Sequence, residues 1–224
     1  MGKLVLLSNF RDGYPEMIKK VADKESVIFS YIPSRTEFGE IYYNRVKNAY
    51  QEMGIRKFQY VDIDKKYKKE DELLILNSDI VFLAGGDDPY IIKNLISRKF
   101  DVLLRKFYAN GGTIIGLCAG ASTLSQYTIV SDYAGVKYEK LQIIPWGIGV
   151  NKYMYYPRFD QLCDLECLIE FCTKYNKTII AAFCDSAILL DDTDIITFGK
   201  ALLIEREKVS ILKNEVNEFT ELTT

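Results

Sequence analysis

The sequence predicts an α/β fold of three layers, with residues 1–224 forming a single domain. A mostly parallel central sheet carries helices on both faces and antiparallel strands at its C-terminal edge. Three observations predict it. Short apolar runs rich in β-branched residues recur along the chain, as strands covered on both faces do. Helical stretches, two of them closed by glycine, alternate with these runs. In the last third the runs are split by short polar turns instead, which is the pattern of antiparallel strands.

The runs "KLVLLS", "SVIFSYI", "FQYVDI", "DIVFLAGG", "GTIIGLC" and "TIIAAF" are the expected parallel strands. Helices are expected from Phe38 to Met53, closed by Gly54, and from Pro89 to Ala109, closed by Asn110-Gly111-Gly112. Two more run from Ala119 to about Gln126 and from Asp160 to Tyr175. "AILLDD", "DIITFGKALLIER" and "KVSILK", separated by Asp-Asp-Thr-Asp, Gly-Lys and Arg-Glu-Lys, are the expected antiparallel edge. The polar tail after Asn214 is expected to fray.

Composition narrows the function classes. With 224 residues and 48% hydrophobic content the chain can bury a sizeable core. Lys+Arg 29 against Asp+Glu 31, with the signs interspersed, shows no basic face and argues against a nucleic-acid partner. No run approaches the roughly 18 apolar residues of a membrane span, and "MGKLVLLSNF" is too short an apolar run for a signal-peptide core. A cytoplasmic protein without a membrane partner is expected. Five cysteines, an odd number, fit reduced thiols better than a disulfide framework. Cys163, Cys167 and Cys172 share one expected helix, but three helical thiols without histidine or a CxxC pair are a poor zinc set, so packing is their reading. No metal and no cofactor is implied.

Chemistry concentrates at "GTIIGLCAGAST". A buried strand ends at Gly116-Leu117, Cys118 occupies the turn, and Ala119-Gly120-Ala121-Ser122 open the next helix. Such a strand-turn-helix exposes a nucleophile and aims the free N–H groups of the helix at it, which favours thiolate. The alternative is a small buried hydrophobe at a crowded turn. In "FLAGGDDPY" a strand ends at Ala84, Gly85-Gly86 allow a tight turn, and Asp88-Pro89 suit the start of a helix. As structure this is an ordinary connection. As chemistry, the Gly86 N–H, with Gly85 as a second candidate, joins that of Ala119 in an oxyanion hole, where a side chain would block the approaching carbonyl.

These residues carry a resemblance that extends over almost the whole chain. It resembles the peptidase E (aspartyl dipeptidase) and cyanophycinase family of serine hydrolases, within the class I glutamine amidotransferase-like superfamily. "AGGDDP" matches the family's Gly-Gly turn. "GLCAGA" matches its Gly-x-Ser-Ala-Gly-Ala elbow, with Cys118 in the place of serine, as in the Gly-x-Cys-x-Gly elbow of the amidotransferases. The family's histidine follows a strand downstream in an Asn-Pro-His-like segment. Aligned on Asn151, "GVNKYM" puts Tyr153, or by a one-residue slip Lys152, in that place; the chain has no histidine at all. The resemblance also implies acidic roles for Asp132 in "IVSDYAG" and Asp185 in "AAFCDSAIL", each of which can equally be a loop or strand-end aspartate. Asp185 could instead hold Tyr153 or Lys152. Arg158, in the aromatic run "YMYYPRF", is the nearest candidate for the cation that family members use on acidic substrates. The run itself fits a cleft wall or a surface loop.

The resemblance implies a hydrolase of small peptide or amide substrates with an incomplete acyl-transfer apparatus. Cys118 attacks the carbonyl, the Gly86 and Ala119 amides hold the oxyanion, and Tyr153 or Lys152 supplies the leaving-group proton. Two other classes stay open: a non-catalytic binding or regulatory protein that keeps the cleft, and a redox sensor acting through Cys118. The sequence also allows a homodimer.

Overall fold

The computed structural model describes residues 2–11, 14–22, 26–130, 142–144, 147–162, 165–191, 194–213 and 220–221. In chain order its first half holds β1 (Lys3–Leu7), α1 (Pro15–Val21), β2 (Ile28–Ile32), α2 (Thr36–Glu52), β3 (Lys57–Tyr60), α3 (Asp71–Leu76) and β4 (Ile80–Leu83). Next come α4 (Asp88–Ser97), α5 (Phe100–Ala109), β5 (Thr113–Leu117), α6 (Ala119–Ser122), β6 (Thr128–Val130) and β7 (Gln142–Ile144). The remainder runs through β8 (Met154–Tyr156), α7 (Phe159–Leu162), α8 (Leu165–Tyr175), β9 (Thr178–Ala182), β10 (Ala187–Asp191), β11 (Asp194–Phe198), β12 (Lys200–Glu205), β13 (Lys208–Lys213) and β14 (Thr220–Glu221). No helix among the described residues is long and apolar enough to cross a membrane.

A central sheet of seven strands, ordered β11-β10-β1-β5-β4-β2-β3, fixes the architecture. β1, β5, β4, β2 and β3 run parallel, while β10 and β11 add antiparallel strands at one edge. The apolar runs are continuous because both faces are covered. In β1, Leu4 and Leu6 enter the core under α3, α4 and α5, whereas Val5 and Leu7 enter the one under α1 and α2. All four are at most 2% exposed, and burying each contributes roughly 1.5–3 kcal/mol. The α/β class, the mostly parallel sheet and its antiparallel C-terminal edge are therefore present as the sequence predicts.

Allocation of the later strands differs from expectation. "TIIAA" forms β9, which lies in a second, five-stranded sheet ordered β14-β13-β12-β9-β8. Ile180 and Ala182 join the core beneath the central sheet, and Ile179 and Ala181 face α8. An apolar run declares two covered faces but not which sheet it belongs to. β12 repeats this division, with Ala201 and Leu203 inward and Leu202 and Ile204 toward α8, so the C-terminal strands split between the two sheets.

Local differences have local causes. The expected helix from Pro89 to Ala109 is two helices, broken where Lys99 adopts a left-handed φ of 61°; the break lets Ile91 and Leu95 of α4 and Phe100 and Leu104 of α5 share one core. The helix after Cys118 ends at Ser122 rather than near Gln126. The start of α2 at Thr36 is capped from a distance, by the Asp64 carboxylate accepting from the Thr36 N–H at 3.2 Å. The aromatic run is not a surface loop: Met154, Tyr155 and Tyr156 form the buried strand β8. Helices α1 and α3 have no counterpart in the sequence reading. Cys172 packs against α8's sheet, its thiol donating to the Lys177 carbonyl and, at 3.1 Å, to that of Ile204. Cys167 is partly exposed, and Cys163 lies outside the described residues.

Candidate active site

Cys118 joins β5 to α6 with φ 50° and ψ −114°. A side chain rarely takes this left-handed φ, and holding it there costs on the order of 1–3 kcal/mol. Neighbouring bonds over-determine it. The Cys118 N–H donates to the Leu7 carbonyl at 2.8 Å, extending the β1–β5 ladder. Its own carbonyl accepts from the Ala121 and Ser122 N–H groups at 2.9 and 3.0 Å, and the Ser122 hydroxyl lies 3.2 Å from the same oxygen. The flanking glycines serve space rather than φ. A Cβ on Gly116 would fall 2.5 Å from the Ala121 Cα, and one on Gly120 would fall 2.4 Å from the Leu83 carbonyl oxygen. Without side chains there, α6 seats directly on the ends of β4 and β5 and the half-buried Cys118 stands at the sheet's carboxyl edge, where parallel α/β sheets place their sites.

The Gly85-Gly86 turn runs beside this elbow. A Cβ on Gly85 would come 3.0 Å from the Leu117 carbonyl oxygen and 3.3 Å from the Cys118 Cβ, and one on Gly86 would lie 2.7 Å from the Ser34 side chain. Asp87, rather than the expected Asp88, caps α4 by accepting from the Tyr90 N–H at 2.9 Å. Arg35 pairs with Asp87 at 3.7 Å and lies 4.4 Å over the Tyr90 ring. The Asp88 carboxyl turns inward, with its Oδ1 buried and without a hydrogen-bond partner. Burial, and secondarily the charge of Asp87, push it up to about 7, against the opposing influence of Ser122 and the Arg158 charge.

The ends of β1 and β8 supply the third wall. Ser8 is fully buried; its N–H donates to the Ser186 carbonyl at 3.0 Å, and its hydroxyl accepts the Arg158 N–H at 2.7 Å. Arg158 has a left-handed φ of 53°. The buried Tyr155 donates its hydroxyl to the Leu6 carbonyl at 3.3 Å. Burial, then the charges of ionised Cys118 and Tyr14, hold its phenol well above the usual tyrosine range. Electrostatically, the tyrosine tied to the elbow is Tyr155.

The expected site residues divide along β8. Cys118, Ala119, Gly85, Gly86 and Arg158 gather at the carboxyl ends of strands. Lys152 and Tyr153 precede β8 at its opposite end. Tyr153 is half-buried, its N–H donating to Asn151 Oδ1 at 3.0 Å, and the exposed Lys152 holds its ammonium 4.9 Å over the Tyr153 ring. Asp185 holds neither of them. It pairs with Arg11 at 2.6 Å on an exposed turn, beside an open cleft of about 610 Å³ that Asp160, Lys200 and Lys213 also line. Near it, Tyr14 is pushed up to about 12 by burial and then by Asp185, and Cys184 to about 11 by burial and then by Asp160. Asp132 lies outside the described residues. The sequence reading missed Ser8, Tyr155 and the inward turn of Asp88; two consecutive acids where a helix needs one cap was the available signal for the last.

A strained residue on a strand-turn-helix, with a Gly-Gly turn alongside at the carboxyl edge of a parallel sheet, is the layout of an α/β hydrolase-type nucleophile elbow. The model of peptidase family S51 matches residues 4–198, and the chain belongs to that family, making it by family a peptidase E-type hydrolase. Among solved structures, it is similar to a peptidase from an acI-B1 actinobacterium at TM-score 0.66 and 17% identity, covering 100% of this chain and 94% of that one. A putative peptidase E protein from Listeria monocytogenes EGD-e is similar at TM-score 0.67 and 20% identity, with 88% and 98% covered. Both likenesses concern the fold. No curated protein matches the chain.

Proposed function

We propose that this S51 member is an acyl-transfer hydrolase with Cys118 as nucleophile, acting on small peptide, amide or ester substrates. The Cys118 backbone carries the reading, because φ 50° and ψ −114° is a conformation a packing cysteine has no need of. The thiolate adds to the carbonyl carbon, the Gly86 and Ala119 N–H groups, with Gly85 beside them, stabilise the oxyanion, and its collapse expels the leaving group to form a thioester that water hydrolyses.

The family's histidine segment is better matched by Tyr156-Pro157-Arg158, in which Tyr156 ends β8 and Pro157-Arg158 follow it, than by a segment aligned on Asn151. In this reading Arg158 takes the histidine's place. An arginine cannot act as a base, but its fixed charge favours a thiolate. The helix behind Cys118 is only four residues long, so its dipole contributes little of that stabilisation. Tyr155 is a poor proton donor, since burial holds its proton and the Leu6 carbonyl already accepts it. Substrates whose leaving groups need no proton, activated esters, should therefore outpace peptides.

The test is incubation with a nitrophenyl acyl ester followed by intact mass and peptide mapping. Acyl adduct on Cys118 in the wild type, with Cys118→Ala and Cys118→Ser both inert, is the expected result; serine lacks a comparable route to its anion in a chain with His 0. A wild type that forms no adduct overturns the reading in favour of a non-catalytic binding protein.

A further inference from the structure

The open cleft of about 610 Å³ beside Asp185 is a concave site that the chemistry above leaves without a task. Such a volume suits a small ligand. Lys200 at the start of β12 and Lys213 at the end of β13 both line it, and the two are direct cross-strand partners. Like charges placed opposite each other work against strand pairing unless an anion offsets them. Among the described residues neither ammonium pairs with a carboxylate. The acids of the cleft are engaged elsewhere: Asp185 pairs with Arg11 at 2.6 Å, and Asp160 Oδ1 accepts the Cys184 N–H at 2.8 Å. With Asp185 neutralised by Arg11, two lysines face one remaining acid, and the balance is positive. The Lys200 ammonium is held at the cleft wall, 4.5 Å over the ring of Phe183, which also lines it.

Strand pairing fixes where this cleft stands relative to Cys118. Leu117 of β5, Leu7 of β1 and Ala187 of β10 form one row across the sheet. One step nearer the carboxyl edge the row is Cys118, Ser8 and Ser186. Hydrogen bonds tie it to the sheet, from the Cys118 N–H to the Leu7 carbonyl at 2.8 Å and from the Ser8 N–H to the Ser186 carbonyl at 3.0 Å. Ser186 lines the cleft, and its hydroxyl accepts the Lys200 N–H at 2.9 Å. Residues 158–160 bridge the same gap, with the Arg158 N–H on Ser8 and Asp160 in the cleft. Two strand spacings, roughly 10 Å, thus separate the nucleophile from Ser186. That is about three residues of extended chain, and it exceeds the reach of an acidic side chain on the residue that carries the attacked carbonyl.

We propose that this cleft is an anion subsite of the Cys118 centre, in which Lys200 and Lys213 hold the terminal carboxylate of a short extended peptide whose reactive carbonyl lies at Cys118. The inference rests on the reading of Cys118 as nucleophile. The carboxylate ends the leaving fragment, so the cleft selects substrates by the length of that fragment as well as by its charge.

Bromoacetyl-glycine, bromoacetyl-diglycine and bromoacetyl-triglycine, each as free acid and as amide, test this by alkylating Cys118 without turnover, with rates read by intact mass and peptide mapping. The free acid should outpace its amide about tenfold at the diglycine or triglycine length, and not at the glycine length. Lys200→Met and Lys213→Met should each cut that preference about two- to fivefold, and together remove it, while the amide rates stay at the wild-type value. Added salt should weaken the preference in the wild type, an arm that needs no variant to fold. Equal acid and amide rates at every length, a preference greatest for glycine, a preference that survives the double substitution, or a Cys118 that none of the reagents alkylates would each overturn the inference. Failure of the acyl-transfer reading is distinct: the nitrophenyl ester leaves no adduct on Cys118 while the lysine-dependent length preference persists, which keeps the subsite.

Discussion

Gly116 of β5 and Ala121 behind the elbow are in such close approach that a Cβ on Gly116 would lie 2.5 Å from the Ala121 Cα and 2.7 Å from its nitrogen. Both obstacles are backbone, so neither can swing aside. Gly116→Ala should therefore push α6 off the strand ends, destabilising the protein by about 1–3 kcal/mol or more. It should also slow Cys118 alkylation, because the strained turn relaxes. Urea unfolding together with the alkylation rate checks it; an unchanged midpoint of unfolding would show that the turn is more pliable than its contacts indicate.

Gly86 affords a cleaner separation of chemistry from folding. Its Cβ would meet the Ser34 side chain at 2.7 Å, displacing the turn on the side away from the thiol. If the Gly86 N–H holds the oxyanion, Gly86→Ala should slow acylation of Cys118 by an activated ester about 10²-fold. Alkylation by iodoacetamide, which passes through no oxyanion, should stay near the wild-type rate. Equal losses in both reactions would assign Gly86 to structure alone.

Placing Arg158 at the histidine's position has a gain-of-function consequence. Histidine is among the residues that tolerate a left-handed backbone, such as the φ of 53° here. Arg158→His should supply the missing proton carrier and raise amide or anilide turnover at least about tenfold, within the range general acid–base groups provide. Ester turnover should gain less, because a nitrophenolate leaves without a proton. Assay of the two substrates across pH checks it, and a variant with no new amide activity would return the search to the other end of β8.

The elbow was legible in the sequence because its determinants are local. Gly116, Cys118 and Gly120 lie within five positions, and the steric reason for each glycine is met by Ala121 and the end of the adjacent β4. The parallel strands were legible for a similar reason, since coverage on two faces writes itself into one short run. What escaped depends on partners far apart in the chain. Ser8 meets Arg158 across 150 positions, and Asp64 caps α2 from 28 positions away. The same applies to β9, whose run fits either sheet and is committed to the second by pairing with β8 and β12. Which tyrosine of the aromatic run faces the elbow is a register question. Tyr153 and Tyr155 are two apart, hence point to one side of an extended chain, and only the position of β8 relative to the elbow decides which of them the Cys118 charge acts on.

Asp88 also makes a prediction about stability, independent of any reactivity. Its carboxyl is raised to about 7 in the fold, with burial the main cause, whereas an unfolded chain holds an aspartate near about 3.9. A group raised on folding contributes most to stability where both states are protonated, below the unfolded value. The contribution is lost progressively as pH rises toward the folded value, because the unfolded chain ionises first. Wild type should thus lose stability through Asp88 between about pH 4 and pH 7 and lose no more above it, by an amount of about 4 kcal/mol at most and nearer 2 after relaxation of the site. Asp88→Asn removes the ionisation while keeping the shape, so its unfolding free energy should fall less over that interval and exceed that of wild type at pH 8. Urea unfolding of both proteins at pH 5 and pH 8 isolates the difference, since every other titrating group is common to the pair. Parallel pH dependence in the two proteins would mean that the carboxyl is solvated or already neutralised by Arg158, and that Asp88 remains ionised throughout.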